Sequence, residues 1–358
     1  MTTNNYKPQL EELLEAAGKH GASDVHISVG RYPTLRIDDR LIALTKYPVL
    51  TAENSEGLVD ALITKEQKRV LLEKKEIDFS YNYNDKARFR VNVFFQRGHL
   101  SAALRFFPPK IQTIKELNLP IILEDFIKAS QGFLLVTGPS GHGKTTTLAS
   151  VIDLINHTQT KHVITIEDPI EYIFDQDKCI IDQREVGSDT LSFRKALRGA
   201  LRQDPDVIMV GEMRDLETIS TALTAAETGH LVLATLHTNS ASQTIDRIID
   251  SFPTGAKDQA RTQLASVLLG IVSQRLIPKA GGGRIPATEV LIANPAVRNL
   301  IREDKVFQID LVIETSTEER MISLNRSLAD LVHRGLISVT DAEIYSLNKS
   351  DLRILLGK

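Results

Sequence analysis

The chain holds a single cysteine, Cys179. One thiol can neither close an internal disulfide nor supply the cysteine-rich ligands of a structural zinc site, so Cys179 reads as a small buried apolar side chain. A basic excess is missing as well: 43 Lys and Arg stand against 46 Asp and Glu, a formal net charge of −3 at pH 7. That balance removes the electrostatic footprint of a protein that lives on nucleic acid and leaves room only for a local basic groove. No run approaches the ~20 apolar residues of a membrane span, and the opening MTTNNYKPQLEELLEAAGKH has no apolar core of signal-peptide length. The expectation is a soluble, cytoplasmic protein with no transmembrane segment. Internal repeats and low-complexity stretches are absent too.

What is there is ordinary globular composition over 358 residues, long enough for two domains. Leu10, Leu13, Leu14 and Ala17 form a core-facing helical stripe that stops at Gly21. A strand is expected over 23–29, then a hairpin whose arms, 35–38 and 41–44, flank Asp39 and Arg40. Helix follows over about 52–73, restarted at Thr64 by a capping box with Gln67. Strands over 77–83, 87–95 and 100–107 complete a small α+β unit with an antiparallel sheet, 1–107. Pro108-Pro109-Lys110 marks a linker, 108–112. From 113 to 358 the pattern becomes α/β: apolar runs at 133–137, 163–167, 207–210 and 231–235 alternate with helices, as strands buried on both faces of a parallel sheet do. Short helices are expected from about Pro295.

Directly after the run at 133–137, residues 138–145 read GPSGHGKT and lead into a helix. This is a phosphate-binding loop in its required strand-to-helix setting. Gly138, Gly141 and Gly143 keep side chains out of the way while backbone N–H groups around Pro139, Ser140 and His142 turn toward phosphate oxygens, and the helix N-terminus adds its dipole. Lys144 reaches the β- and γ-phosphates, Thr145 offers a hydroxyl to Mg²⁺, and Thr146 completes the ATP site.

In an open α/β sheet the ligand lies beyond the carboxyl ends of the strands. Polar residues end three of them: Glu167-Asp168, Gly211-Glu212 and His237-Thr238-Asn239. Hydrolysis of a γ-phosphate needs one carboxylate to activate water and another to hold Mg²⁺. DVIMVGE at 206–212 is similar to a Walker B strand, with Gly211 where many P-loop enzymes place aspartate, which shifts the metal duty to Glu212. Glu167 is then the better general base, with Asp168 and Glu171 as rivals. His237 can sense the γ-phosphate or bridge to a neighbouring subunit. His230 and His237 lie seven apart on one strand and face opposite ways, which disfavours a shared metal; His230 suits a helix-dipole partner.

In the first domain, Arg88 and Arg90 share one strand face. If Arg97-Gly98 is a two-residue turn, Arg90 stands opposite Arg105, a repulsive pair unless something anionic neutralises it. Carboxylates of the same domain could do so; the alternative is arginine fingers reaching a triphosphate on an adjacent subunit. Arg194, Arg198 and Arg202 form a helical stripe of the kind usually solvated or paired with acids.

The loop, IEDPIEY (166–172), the Gly-Glu strand end and TGHLVLATLHTNSA (228–241), in this order, make the chain resemble the secretion-type ATPases of bacterial pili and secretion systems. IIDQREVGSDT (180–190), VGEMRDLETI (210–219) and ASDVHIS (22–28) look like its pilus-retraction branch. So does the octet Ala296, Val297, Arg298, Asn299, Leu300, Ile301, Arg302 and Glu303, which resembles a retraction motif with one Ile-to-Val change. The resemblance spans nearly the whole chain. It implies a homohexamer of subunits with a PAS-like N-terminal domain and a RecA-like ATPase domain, ATP held between them, Glu167 as base, Glu212 on Mg²⁺, and Arg90 and Arg105 acting in trans, with Arg88 or Arg97 able to replace one. It further implies work on type IV pilin through an inner-membrane platform protein, from the cytoplasm. His142 and Thr145 stand where the loop often has Ser. Competing readings are an accessory retraction ATPase, an assembly or export ATPase, whose four-cysteine zinc insert one cysteine cannot supply, a RecA-like nucleic-acid motor, and a non-catalytic nucleotide-binding scaffold.

Overall fold

The computed structural model describes residues 6–37, 40–83 and 87–357, which cluster into two compact units. The first unit runs to Lys110 and also takes in Pro169–Ile173. It contains α1 (Tyr6–Lys19), β1 (Asp24–Ile27), β2 (Thr34–Ile37), β3 (Arg40–Ala43), α2 (Ala52–Leu62), α3 (Lys65–Lys74), β4 (Glu76–Tyr83), β5 (Ala87–Gln96) and β6 (His99–Phe107). Its sheet is antiparallel throughout, in the order β3-β2-β1-β6-β5-β4. The stripe of α1 is buried as expected, packing with Val25, Leu58, Phe89, Val91 and Leu104. Thr64 and Gln67 form the reciprocal capping box that starts α3.

Two turns set the register here. Arg97 and Gly98 both have positive φ, 51° and 82°, as a primed hairpin turn demands; Gln96 therefore pairs with His99, and Arg90 stands opposite Arg105. The earlier hairpin closes one residue sooner than its sequence suggests, because Arg40 already pairs with Ile37 inside β3; Asp38 and Asp39 lie outside the described residues.

The second unit comprises Ile111–Asp168 and Phe174–Lys358. Its elements are α4 (Leu123–Phe126), β7 (Gly132–Thr137), α5 (Lys144–Thr158), β8 (His162–Glu167), β9 (Ile180–Glu185), α6 (Phe193–Ala200), β10 (Val207–Val210), α7 (Leu216–Glu227), β11 (Leu231–Leu236), α8 (Ala241–Asp250), α9 (Lys257–Val267), β12 (Leu268–Pro278), β13 (Arg284–Ile292), α10 (Pro295–Arg302), α11 (Ile309–Thr315), α12 (Leu324–His333), α13 (Val339–Tyr345) and α14 (Lys349–Leu355). The seven strands run β13-β12-β7-β11-β10-β8-β9. All neighbours are parallel except β12 and β13. β7, β10 and β11 are buried along their whole length, which is why they read as unbroken apolar runs.

Three strands lack that signature. β9 lies at a sheet edge with mixed exposure, while β12 and β13 interrupt their apolar residues with Ser, Gln, Arg, Thr and Glu. The last helices, α12 to α14, pack around Ile277, Ile285 and Ala287 of that antiparallel pair. Among the described residues no helix is long and apolar enough to cross a membrane.

Candidate nucleotide site

β7 delivers the chain to Gly138, and α5 begins at Lys144 after Gly143 as its N-cap. Glycine offers no capping side chain at the start of this 15-residue helix, whose N-terminal dipole favours an anion. Lys144 is buried and donates to the carbonyls of Gly138 and Pro139, both at 2.8 Å. Pro139, Thr145 and Thr146 are half-buried, and Ser140 and Gly141 exposed. The glycines at either end answer to sterics as well as to phosphate. Gly138 (φ 143°) has no room for a Cβ, which would sit 2.3 Å from the Gln274 carbonyl oxygen, and at Gly143 (φ 82°) it would meet Gln274 Nε2 at 2.8 Å. His142 accepts twice, at its carbonyl from Gln274 Nε2 (2.7 Å) and at Nδ1 from the Leu276 amide (2.9 Å).

The strand-end residues gather beside this loop through sheet register. Val210 pairs with Ile166 and Ala234, so β8, β10 and β11 end side by side. Glu167 is buried, its Oε1 accepting from Thr165 Oγ1 (2.6 Å) and Gln183 Nε2 (3.2 Å). Gly211 donates its amide to Ile166 O at 2.8 Å, and a Cβ there would lie only 3.0 Å from that same oxygen. An aspartate at 211 would crowd the end of β8, and the carboxylate moves one residue on, to Glu212. That carboxylate bonds Arg214 at 2.6 Å and lies 3.5 Å from His237 Nε2. His237 Nδ1 in turn lies 3.4 Å from Lys144 Nζ.

Lys144, His237 and Glu212 thus form one chain of contacts. An ammonium can only donate, so Nδ1 is the acceptor and the imidazole proton sits on Nε2, toward Glu212. Burial holds the His237 pKa below the usual histidine value, Lys144 adds to that effect, and Glu212 opposes it. Beneath the loops runs a line of hydroxyls: Ser273 Oγ meets Thr137 Oγ1 at 2.9 Å, and Thr244 Oγ1 meets Thr238 Oγ1 at 2.6 Å. Gln183, Arg214, Ser273 and Gln274 are site residues that the sequence reading missed. The signal for the last two was polar side chains inside an apolar run.

The remaining candidates have the following surroundings within their own units. Asp168 is exposed, and Glu171 belongs to the first unit. His230 Nδ1 lies 2.9 Å from the Ala225 carbonyl in the last turn of α7. Within the first unit, Arg90 lies 3.9 Å from Asp78 and Arg105 3.0 Å from Asp24, so carboxylates of its own sheet neutralise the opposed pair. Arg88 donates to Ile170 O (2.6 Å), Asn82 (2.6 Å) and Ser80 (2.7 Å), and Arg97 sits in its turn. Arg194 is paired with Glu217. The octet at 296–303 is amphipathic: Val297 and Ile301 are buried, Leu300 half-buried, and Ala296, Asn299, Arg302 and Glu303 exposed.

Residues 3–283 match the family model described as type II/IV secretion system protein. The type IV pilus retraction ATPase PilT of Pseudomonas aeruginosa is 47% identical over 333 residues, 93% of this chain and 96% of that protein. The type IV pilus ATPase PilU of the same organism is 39% identical, over 97% and 91%. The crystal structure of the pilus retraction motor PilT with bound ADP superposes with a TM-score of 0.87 at 48% identity, covering 96% of this chain and 98% of that one. An N-terminal antiparallel sheet unit, a mostly parallel sheet ending in a phosphate loop and matches of this extent agree: the chain belongs to the type II/IV secretion system protein family, with the fold of its pilus ATPases.

Proposed function

We propose that the protein is a cytoplasmic, homohexameric ATPase that powers type IV pilus retraction, withdrawing pilin through an inner-membrane platform protein. The observation that carries this reading is the joining of the phosphate loop to the strand ends through Lys144, His237 and Glu212, in a chain similar over nearly its full length to a retraction ATPase. On ATP binding, Lys144 exchanges the carbonyls of Gly138 and Pro139 for phosphate oxygens, and the loop amides with the start of α5 cradle the rest. Glu167, steadied by Thr165 and Gln183, takes the proton of the attacking water.

The Thr145 hydroxyl and the Glu212 carboxylate are hard oxygen donors that fit Mg²⁺, which would have to displace Arg214 from Glu212. Mg²⁺ bound there would neutralise phosphate charge. Neutral His237 reports the γ-phosphate position to Glu212. Arg90 and Arg105 of a neighbouring subunit complete the site. Their pairs with Asp78 and Asp24 are partly exposed, and such pairs contribute only about 0–1 kcal/mol, so a triphosphate can displace them. In this reading residues 1–107 are a PAS-like domain, 108–112 a linker and 113–358 a RecA-like ATPase domain. A second reading is an accessory retraction ATPase; the 39% identity to PilU, a type IV pilus ATPase, shows that the chain is similar to more than one pilus ATPase.

Expression in a piliated bacterium lacking its retraction ATPase tests the proposal. Restored twitching by the parent chain and none by Lys144→Ala is the expected outcome. Restoration that requires a co-expressed main retraction ATPase selects the accessory reading. No restoration in either setting, with protein present as a six-subunit particle, contradicts both.

A further inference from the structure

Gln274 is a buried amide in the middle of β12, between apolar Val272 and Ile277. Neither end of its side chain faces solvent, and both are spent on the phosphate loop and its helix. Nε2 donates to His142 O at 2.7 Å, and Oε1 accepts from Thr147 Oγ1 at 2.7 Å. A carbonyl only accepts, so His142 O fixes which end of the amide carries nitrogen and leaves the oxygen for Thr147. The main chain of the same residue closes against Gly138, and its Nε2 against Gly143. One residue therefore touches the loop at its beginning, middle and end, and also the first turn of α5. The neighbouring Leu276 amide adds a hydrogen bond to the His142 ring.

We propose that Gln274 is a positioning residue for nucleotide binding, which sets the span of the phosphate loop by bridging His142 to Thr147. It acts through the loop, whose N–H directions follow from where the His142 carbonyl and the start of α5 are held. A cradle of this kind depends on placement: loss of a loop-fixing bond of about 1.4 kcal/mol corresponds to a tenfold change in affinity. The inference rests on the loop being the nucleotide site.

The test is ADP binding by calorimetry on the full-length chain, with thermal unfolding of each nucleotide-free variant and the KM and kcat of ATP hydrolysis. Gln274→Ala is expected to weaken ADP about tenfold or more and to raise KM by more than it lowers kcat, without a matching fall in nucleotide-free Tm. Gln274→Glu, which keeps an acceptor for Thr147 but opposes an oxygen to the His142 carbonyl, is expected to be no better. Thr147→Val, isosteric and lacking only the hydroxyl, is expected to weaken ADP in the same direction, and adding Gln274→Ala to it is expected to cost less than that change costs alone. ADP affinity within twofold of the parent in Gln274→Ala or in Thr147→Val, while Lys144→Ala has lost binding, overturns the inference and leaves the site standing. Parent-like ADP binding by Lys144→Ala overturns the site reading and this inference together. If Gln274→Ala does not fold, Thr147→Val decides alone.

Discussion

Replacing Arg298 by alanine separates what the 296–303 octet does for the fold from what it does for work. Its guanidinium donates from Nε to Ala293 O at 2.8 Å, from one terminal nitrogen to Ala265 O and Ser266 O (2.7 Å to the latter), and from the other to Leu268 O at 2.7 Å. Ala265 and Ser266 belong to the last turn of α9, where carbonyls have no intrahelical donor and the helix dipole is negative. Arg298 thus caps α9 from α10. Hydrogen bonds from a charged donor contribute about 1.5–3 kcal/mol each. This side chain is half-buried, and water can reach the freed carbonyls, so the sum must be discounted to about 2–4 kcal/mol. At about 2–4 °C per kcal/mol for a domain of this size, Tm falls by roughly 5–15 °C. Thermal unfolding by circular dichroism reads this directly, alongside phosphate release at 20 °C and twitching in cells. Arg298→Ala should lower Tm by that amount, keep hydrolysis at 20 °C, and lose hydrolysis and retraction together only near its lowered Tm. Exposed Asn299→Ala and Arg302→Ala should keep Tm and hydrolysis while losing retraction. An Arg298→Ala protein that melts within 2 °C of the parent refutes the capping argument.

Burial pushes the Glu289 carboxyl up to about 7 from 4.5, and Asp310 adds to the rise, against the Ala241 amide bond at 2.7 Å and Arg275. The folded state then holds a proton that the unfolded chain has lost, so stability falls as pH rises from about 4.5 through about 7, by about 3 kcal/mol in all. Urea unfolding at pH 5.5 and 8 should show about 2 kcal/mol of that fall in the parent and a change smaller by that amount in Glu289→Gln, and parallel responses would contradict it. For the arginines, Arg90→Ala should cut hydrolysis by about 10³-fold or more while ADP binding is kept. Mixing that protein with Lys144→Ala subunits should recover part of the rate, because each supplies what its neighbour lacks; no recovery would count against a site shared between subunits.

Much of this was legible because the relevant residues obey strict local rules. The phosphate loop must be glycine-rich, positively charged at Lys144 and flanked by strand and helix; the turn at Arg97-Gly98 must be two residues long, and that alone put Arg90 opposite Arg105. Strands buried on both faces announced themselves by composition. The antiparallel β12 and β13 did not, because Ser273, Gln274 and Glu289 hydrogen-bond inside the molecule to Thr137 at the end of β7, to the phosphate loop and to the start of α8, and break the apolar pattern from within. Arg214 was illegible for another reason: nothing in a strand-end sequence says which of several nearby cations will turn back onto Glu212. The octet at 296–303 was recognisable as wording but not as structure, since only packing shows that Arg298 serves α9 while Asn299 and Arg302 face outward.

Hydrolysis of ATP at the joined loop and strand ends, with Glu167 as the base, is open to a single assay. Phosphate release by the purified parent and by Glu167→Gln, each at saturating ATP and Mg²⁺ and with ADP affinity measured in parallel, tests it most directly. Steady release by the parent and a loss of about 10²–10⁴-fold in Glu167→Gln, with ADP affinity unchanged, are the expected results. A parent that releases no phosphate, or a Glu167→Gln protein as fast as the parent, would contradict it.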